Sequence, residues 1–171
     1  MADHLRRIGK REEALPLFIR AAESGNVLAM RQAASLLRLA DRRREALPWY
    51  LRAVQSGDKS SIRHIATLHK EAGDFDTALD WYGKAADHHD TEAHREAAWM
   101  LWDQDRFDDA LTWLHARVEK GDRRAIRETA DLLREANRPA EALHWYQRAA
   151  QGGDAYAIDY VERMDPSWDE N

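Results

Sequence analysis

The 171-residue chain contains no cysteine, which excludes thiol nucleophiles, disulfide framing and cysteine-ligated metal. It has no long apolar stretch: the longest unbroken run is AAWMLW at 97–102, far too short to span a bilayer. Its N-terminus, MADHLRRIGK, lacks the apolar segment of a secretory signal. No large excess of one charge is present; the net charge is −5, so nucleic-acid binding through a broadly basic surface is not indicated. Glycine and proline are few, at 8 and 4, and most of them fall at a fixed register. Phosphate-binding glycine loops, nucleophile elbows and His-Glu-x-x-His are missing, so the expectation is a non-enzyme without cofactor, soluble and cytoplasmic.

What is present is a repeat. EALPLFIRAAESGN at 13–26 recurs as EALPWYLRAVQSGD at 45–58, TALDWYGKAADHHD at 77–90, DALTWLHARVEKGD at 109–122 and EALHWYQRAAQGGD at 141–154. The step is 32 residues each time, and 31–62 matches 127–158 at 18 of 32 positions. Apolar residues fall at helical spacing in both halves of the unit, as at Ile62, Ile65, Ala66 and Leu68 with Ala72 closing the face, then at Ala78, Leu79, Trp81, Tyr82, Ala85 and Ala86. The spacing predicts eleven helices: 2–8, 11–23, 27–40, 43–55, 59–72, 75–88, 91–104, 107–119, 123–136, 139–151 and 155–164. Gly25, Gly57, Gly121 and Gly153 mark the ends of second helices, and Asn26, Asp58, Asp122 and Asp154 are set to cap the next. Gly9, Asp41, Gly73, Asp105 and Asn137 suit the left-handed turn inside each unit. Pro139 fits a first helical turn, whereas Pro16 and Pro48 lie deeper and are expected to bend their helices or leave a carbonyl unpaired.

No unit buries its apolar face alone, so the fold class expected is all-α, a right-handed α-solenoid of stacked helix-turn-helix repeats, in a single domain at 1–164 with a tail at 165–171. Trp168 in that tail could dock on the body. Met1 aligns with the middle of a helix, consistent with a short natural cap or with a fragment of a longer array.

The pattern A-L-x-W-Y-x-[KR]-A-A-x-x-G-[DN]-x-x-A resembles the second helix of the Sel-one-like repeat, with a turn as short as that of tetratricopeptide repeats. The chain is identified as a member of the tetratricopeptide superfamily with a 32-residue unit. The resemblance implies a scaffold that binds a protein or peptide in a concave groove.

Columns of the repeat separate framework from function. Trp49, Trp81, Trp113 and Trp145 recur with Ala46, Ala78, Ala110 and Ala142 and read as packing. Trp99 and Trp102 stand where other units carry Ser35, Thr67 and Asp131, or Arg38, Lys70 and Arg134, so they are expected to be exposed. They read as a binding hot spot, or as packing on a local loop or an oligomer partner. Arg31, Arg63, Arg95 and Arg127 form a ladder on the same face, which either reads an acidic peptide or pairs with carboxylates such as Glu71, Asp103 or Glu135.

By resemblance a basic residue at this register clamps a peptide carboxylate. The asparagines of that clamp are replaced by Gln32, His64, Glu96 and Glu128, then by Ser35, Thr67, Trp99 and Asp131. An acidic or aromatic-containing peptide is therefore expected rather than a terminal carboxylate. The candidate face comprises Arg31, Arg63, Thr67, Lys70, Arg95, Trp99, Trp102, Arg127, Asp131 and Arg134.

Histidines gather at His64, His69, His88, His89, His94 and His115, with His88-His89 in place of Ser-Gly and His94 at an isoleucine-type position. Their spacing matches no metal signature, and no metal is expected. The alternative function is a self-associating segment, or a recognition arm of a larger signalling or NTPase-type protein. Leu5, Ile8, Leu15 and Phe18 are expected to be thinly covered at the first end, which would favour end-to-end contact and a homo-oligomer.

Overall fold

A computed structural model describes residues 1–90 and 92–164. Tail residues 165–171, Trp168 among them, lie outside the described residues. Eleven helices follow the repeat: α1 (Ala2–Arg7), α2 (Arg11–Glu23), α3 (Val27–Leu39), α4 (Arg43–Gln55), α5 (Ser60–Glu71), α6 (Phe75–Asp87), α7 (Ala93–Trp102), α8 (Phe107–Glu119), α9 (Arg123–Glu135), α10 (Pro139–Gln151) and α11 (Ala155–Met164). No strand occurs among the described residues. No helix among them is long and apolar enough to cross a membrane.

The chain divides into two compact units, Met1–Asp90 and Thr91–Asn171. In the first, α1 to α6 pack each against the next. Its core has two parts. Phe18, Met30 and Leu36 gather with alanines of α2 and α3. Leu37, Tyr50, Ile65 and Leu68 join α3, α4 and α5. In the second unit, α7 to α11 pack in the same order, and Leu133, Tyr146 and Val161 tie α9, α10 and α11 together.

Ala14, Ala46, Ala78, Ala110 and Ala142 have no exposed surface, as close helix approach requires. The Trp-Tyr pair divides its labour differently from expectation. Tyr50, Tyr82, Leu114 and Tyr146 are fully buried, whereas Trp49, Trp81, Trp113 and Trp145 are half-buried. A helix turns about 100° per residue, so neighbours cannot both face the core centre. The tryptophans cover the edge of the packing. Arg52, Lys84 and Arg148, one turn on, lie over the rings of Trp49, Trp81 and Trp145 at 4.7, 4.1 and 5.1 Å. Trp113, with Ala116 at that place, instead donates from its indole N–H to the His94 carbonyl at 3.3 Å.

The punctuation works as the residue types require. Asp41, Asp105 and Asn137 adopt φ of 60°, 58° and 57°, beside Gly9 and Gly73 in the equivalent turns. Asn26 and Asp154 cap their helices, accepting from the backbone N–H of Ala29 at 2.8 Å and Ala157 at 3.0 Å. Asp122 accepts from that of Arg124 at 3.2 Å. Asp58 departs from the expected role: α5 begins later, at Ser60, and the carboxylate takes the Ser61 hydroxyl at 2.7 Å instead.

Helices α2 and α4 run through Pro16 and Pro48. Both prolines, and Glu12 and Arg44 whose carbonyls they leave without a helical donor, are exposed, where water supplies the missing bond. The first end is better closed than expected. Leu5 of the short α1 packs onto the cluster holding Phe18, which is buried, while Ile8 stays 53% exposed.

His89 occupies the left-handed position that glycine holds at 25, 57, 121 and 153, with φ of 64°. Its N–H and that of Asp90 close the helix end onto the carbonyls of Ala86 and Ala85. A Cβ in this conformation costs about 1 kcal/mol. His89→Gly is therefore expected to stabilise the protein by roughly that amount, measured as a higher urea midpoint at unchanged slope.

Candidate functional site

The ladder arginines sit in the first helix of each repeat, one helical turn before the residues at 35, 67, 99 and 131. In the first unit they are not free cations. Arg31 donates to the Asp58 carboxylate at 3.1 Å, and Arg63 donates to Asp90 at 3.0 Å. Both acceptors lie 27 residues on, at the start of the next repeat. Thr67 returns its hydroxyl to the Arg63 carbonyl at 3.0 Å, and Lys70 is half-buried on the same helix. Arg38 and Arg43 share Glu71, at 2.6 and 3.5 Å, so Glu71 serves a different arginine from those of the ladder. His64 stacks on Tyr50 with ring centroids 5.2 Å apart. Burial pushes its pKa down, and Arg63, Arg38 and Arg31 push the same way.

The second unit keeps the pattern at one end and breaks it at the other. Arg127 faces Asp154 at 3.5 Å and Glu128 at 3.7 Å, with its guanidinium 5.8 Å from the Tyr156 ring. Asp131 accepts from the Tyr146 hydroxyl, and Arg134 pairs with Glu135 at 2.9 Å. Burial, together with the Asp131 carboxylate, raises the Tyr146 pKa. Arg95 does not pair with Asp122, the carboxylate 27 residues on: it pairs with Glu92 of its own turn and is 49% exposed.

Trp99 and Trp102 follow Arg95 along one stripe of α7. They are half-buried rather than exposed. Each shields the other edge-to-face, with centroids 6.2 Å apart, and Trp102 also meets Phe107 at 5.4 Å across the short turn. Packing on a neighbouring element thus accounts for part of Trp102. Trp99 keeps Trp102 as its one ring partner among the described residues.

Two groups went unread in the sequence. Glu128 is buried on α9, and desolvation first, then the Asp131 charge, raise its pKa to about 7 against the opposing pull of Arg127 and Arg95. Arg117 is buried on α8, with its guanidinium 4.0 Å from Asp122; His94, 1% exposed, has Nδ1 3.6 Å from the same carboxylate. The signal for Arg117 was in its column, which otherwise reads Ala21, Ala53, Ala85 and Ala149. The histidines do not converge. His88 and His89 are exposed, His69 meets Asp74 at 3.1 Å and His115 stacks on Trp145 at 4.9 Å. Among the described residues no group of three or more metal-ligating side chains gathers.

The Glu128 carboxyl binds its proton more tightly folded than unfolded. The stability this contributes is complete below about pH 4.5 and is lost as pH rises through about 7. The Glu128→Gln variant is expected to lack that decline. Its advantage over the wild type should grow from near zero at pH 5 to about 2 kcal/mol at pH 8, read from urea unfolding at each pH.

Comparison with known proteins agrees with this architecture. The tetratricopeptide repeat family model matches residues 1–61 and 65–122. No curated protein sequence matches the chain. Among solved structures, the fold is similar to MamA with a TM-score of 0.63 at 13% identity, covering 92% of this chain and 97% of that one. A Sel1 repeat protein from Oxalobacter formigenes gives 0.56 at 21% identity, over 95% of this chain and 73% of that one. YrrB, described as a tetratricopeptide repeat protein with an unusual peptide-binding site, gives 0.56 at 20% identity, over 95% and 88%. With its helix pairs, left-handed turns and buried alanine column, the chain belongs to the tetratricopeptide repeat family.

Proposed function

We propose that the chain is a non-catalytic scaffold that binds a protein or peptide through the α7 face carrying Arg95, Trp99 and Trp102. The observation that carries this reading is the coincidence, on one stripe of one helix, of the ladder arginine that does not pair with the carboxylate 27 residues on and of two tryptophans that no other repeat has at those registers. A half-buried tryptophan packed against another ring loses little entropy on binding and offers a flat apolar wall. An arginine one turn away adds a forked donor for a carboxylate. The ligand that fits is an acidic segment with an aromatic or bulky apolar residue. Family membership supports the class of function, and the peptide-binding site named for YrrB supports the mode. Arg31, Arg63 and Arg127 then serve the repeat stack more than the ligand, since each already faces a carboxylate.

A second reading is self-association through the ends, favoured by the exposed Ile8 and Leu28 in the first unit and Met164 in the second. Sedimentation equilibrium over a wide concentration range separates the two. A monomer throughout removes the second reading.

The first reading is tested by affinity capture from lysate with the wild type and Trp99→Ala/Trp102→Ala, after circular dichroism has matched their helicity. A captured partner is expected to lose about thirtyfold in affinity in the double variant, as for a hot-spot pair. Equal affinity in both proteins would remove the α7 face from the function.

A further inference from the structure

The repeats themselves form a substitution series around Arg95. Three times an arginine in the first helix faces the carboxylate 27 residues later: Arg31 with Asp58 at 3.1 Å, Arg63 with Asp90 at 3.0 Å and Arg127 with Asp154 at 3.5 Å. In each of these repeats the intervening second helix carries a buried alanine five residues before the carboxylate: Ala53, Ala85 or Ala149. In the fourth case that residue is Arg117, and the pair between Arg95 and Asp122 is not made.

Asp122 instead lies 4.0 Å from the Arg117 guanidinium and 3.6 Å from His94 Nδ1, while its other oxygen accepts from the Arg124 N–H at 3.2 Å. His94 itself stands in the column of Met30, Ile62 and Ile126. The physical reason is a difference in burial. Arg117 is 5% exposed and gains more from a nearby carboxylate than Arg95, which is solvated at the surface and pairs locally with Glu92. Between two arginines competing for one aspartate, the buried one wins.

We propose that Arg117 is a positioning residue for recognition: by engaging Asp122 it keeps Arg95 from pairing with that carboxylate, so that Arg95, held locally by Glu92, can exchange that pair for an acidic side chain of a partner. The inference rests on the reading that the α7 face binds such a partner. The competing cause is Glu92, which stands where the other repeats have Leu28, Ser60 and Arg124, and which could draw Arg95 away by itself.

The test reads the Asp122 carboxylate directly, by carbon-detected NMR titration of the intact chain, with and without Arg95→Gln. In the wild-type background Arg95→Gln is expected to leave the Asp122 midpoint unchanged. In the Arg117→Ala background, which restores the residue of the other repeats, Arg95→Gln is expected to raise it by about half a unit or more, as loss of a nearby cation does. Arg117→Met keeps the volume without the charge and should behave as Arg117→Ala; it carries the test if the alanine variant loses helicity by circular dichroism. No response to Arg95→Gln in either background would overturn the inference. So would an equal response in Glu92→Ser with Arg117 intact, which would make Glu92 the cause.

A second arm uses a fluorescein-labelled heptaglutamate peptide at low ionic strength. Arg95→Gln and Arg117→Ala are each expected to weaken its binding by about three- to tenfold. If Asp122 responds as expected but the peptide binds all variants alike, Arg117 still sets the pairing and it is the recognition reading of α7 that fails.

Discussion

Two helices can approach closely only where one presents almost no side chain, and in this chain that condition is met by a column of alanines. Ala14, Ala46, Ala78, Ala110 and Ala142 are each without exposed surface. They let the following Phe18, Tyr50, Tyr82, Leu114 and Tyr146 reach the centre of the packing. A larger residue at any of the five would push the second helix outward and withdraw that anchor. The rest follows from this spacing. The second helix must stop where it does, hence the left-handed glycine, and the next first helix must start two residues later, hence an acid or amide there to meet its N–H groups.

That short distance gives the capping position a second task. A carboxylate at 58, 90 or 154 lies within reach of the arginine 27 residues back and ties its repeat to the one before, and Asp154 does so while also capping its helix. Such pairs, being part-exposed, contribute modestly to stability. Their greater consequence is electrical. A row of arginines that reads as a cationic strip in the sequence is largely compensated in the fold, by cross-repeat aspartates at 31, 63 and 127 and by a local glutamate at Arg95.

Much of this was legible in the sequence. The step of 32, the helix bounds within a residue or two, the left-handed turn residues and the alanine column could all be read from recurrence, because packing at fixed spacing repeats its residue types. What escaped was anything decided by the contest between neighbours. Trp49 and Tyr50 are both aromatic and adjacent, and only the helix's rotation gives the core to tyrosine and the edge, under Arg52, to tryptophan. Trp99 and Trp102 looked exposed because their columns are polar elsewhere, but two large rings placed three apart cover each other. Phe18 looked bare because α1 is short, yet Leu5 suffices to cover it. Asp58 looked like a cap, but an arginine and a serine hydroxyl compete for its oxygens.

The departures from the repeat are more informative than the repeat, and they are not scattered. His94, Arg117 and the two tryptophans of α7 all fall within one pair of helices and the turn between them. Placing a buried arginine and a buried histidine where other units have alanine and isoleucine or methionine sacrifices apolar packing and desolvates charge, a combination that rarely adds stability. Glu128 on the adjacent helix, whose pKa is raised to about 7 by burial, adds a further cost of the same kind. A unit optimised only for stacking would have kept the residues its siblings use. Unfavourable substitutions gathered around one stretch of surface are the pattern expected where a fold gives up stability to shape a site, which is the argument for proposing the stripe from Arg95 to Trp102.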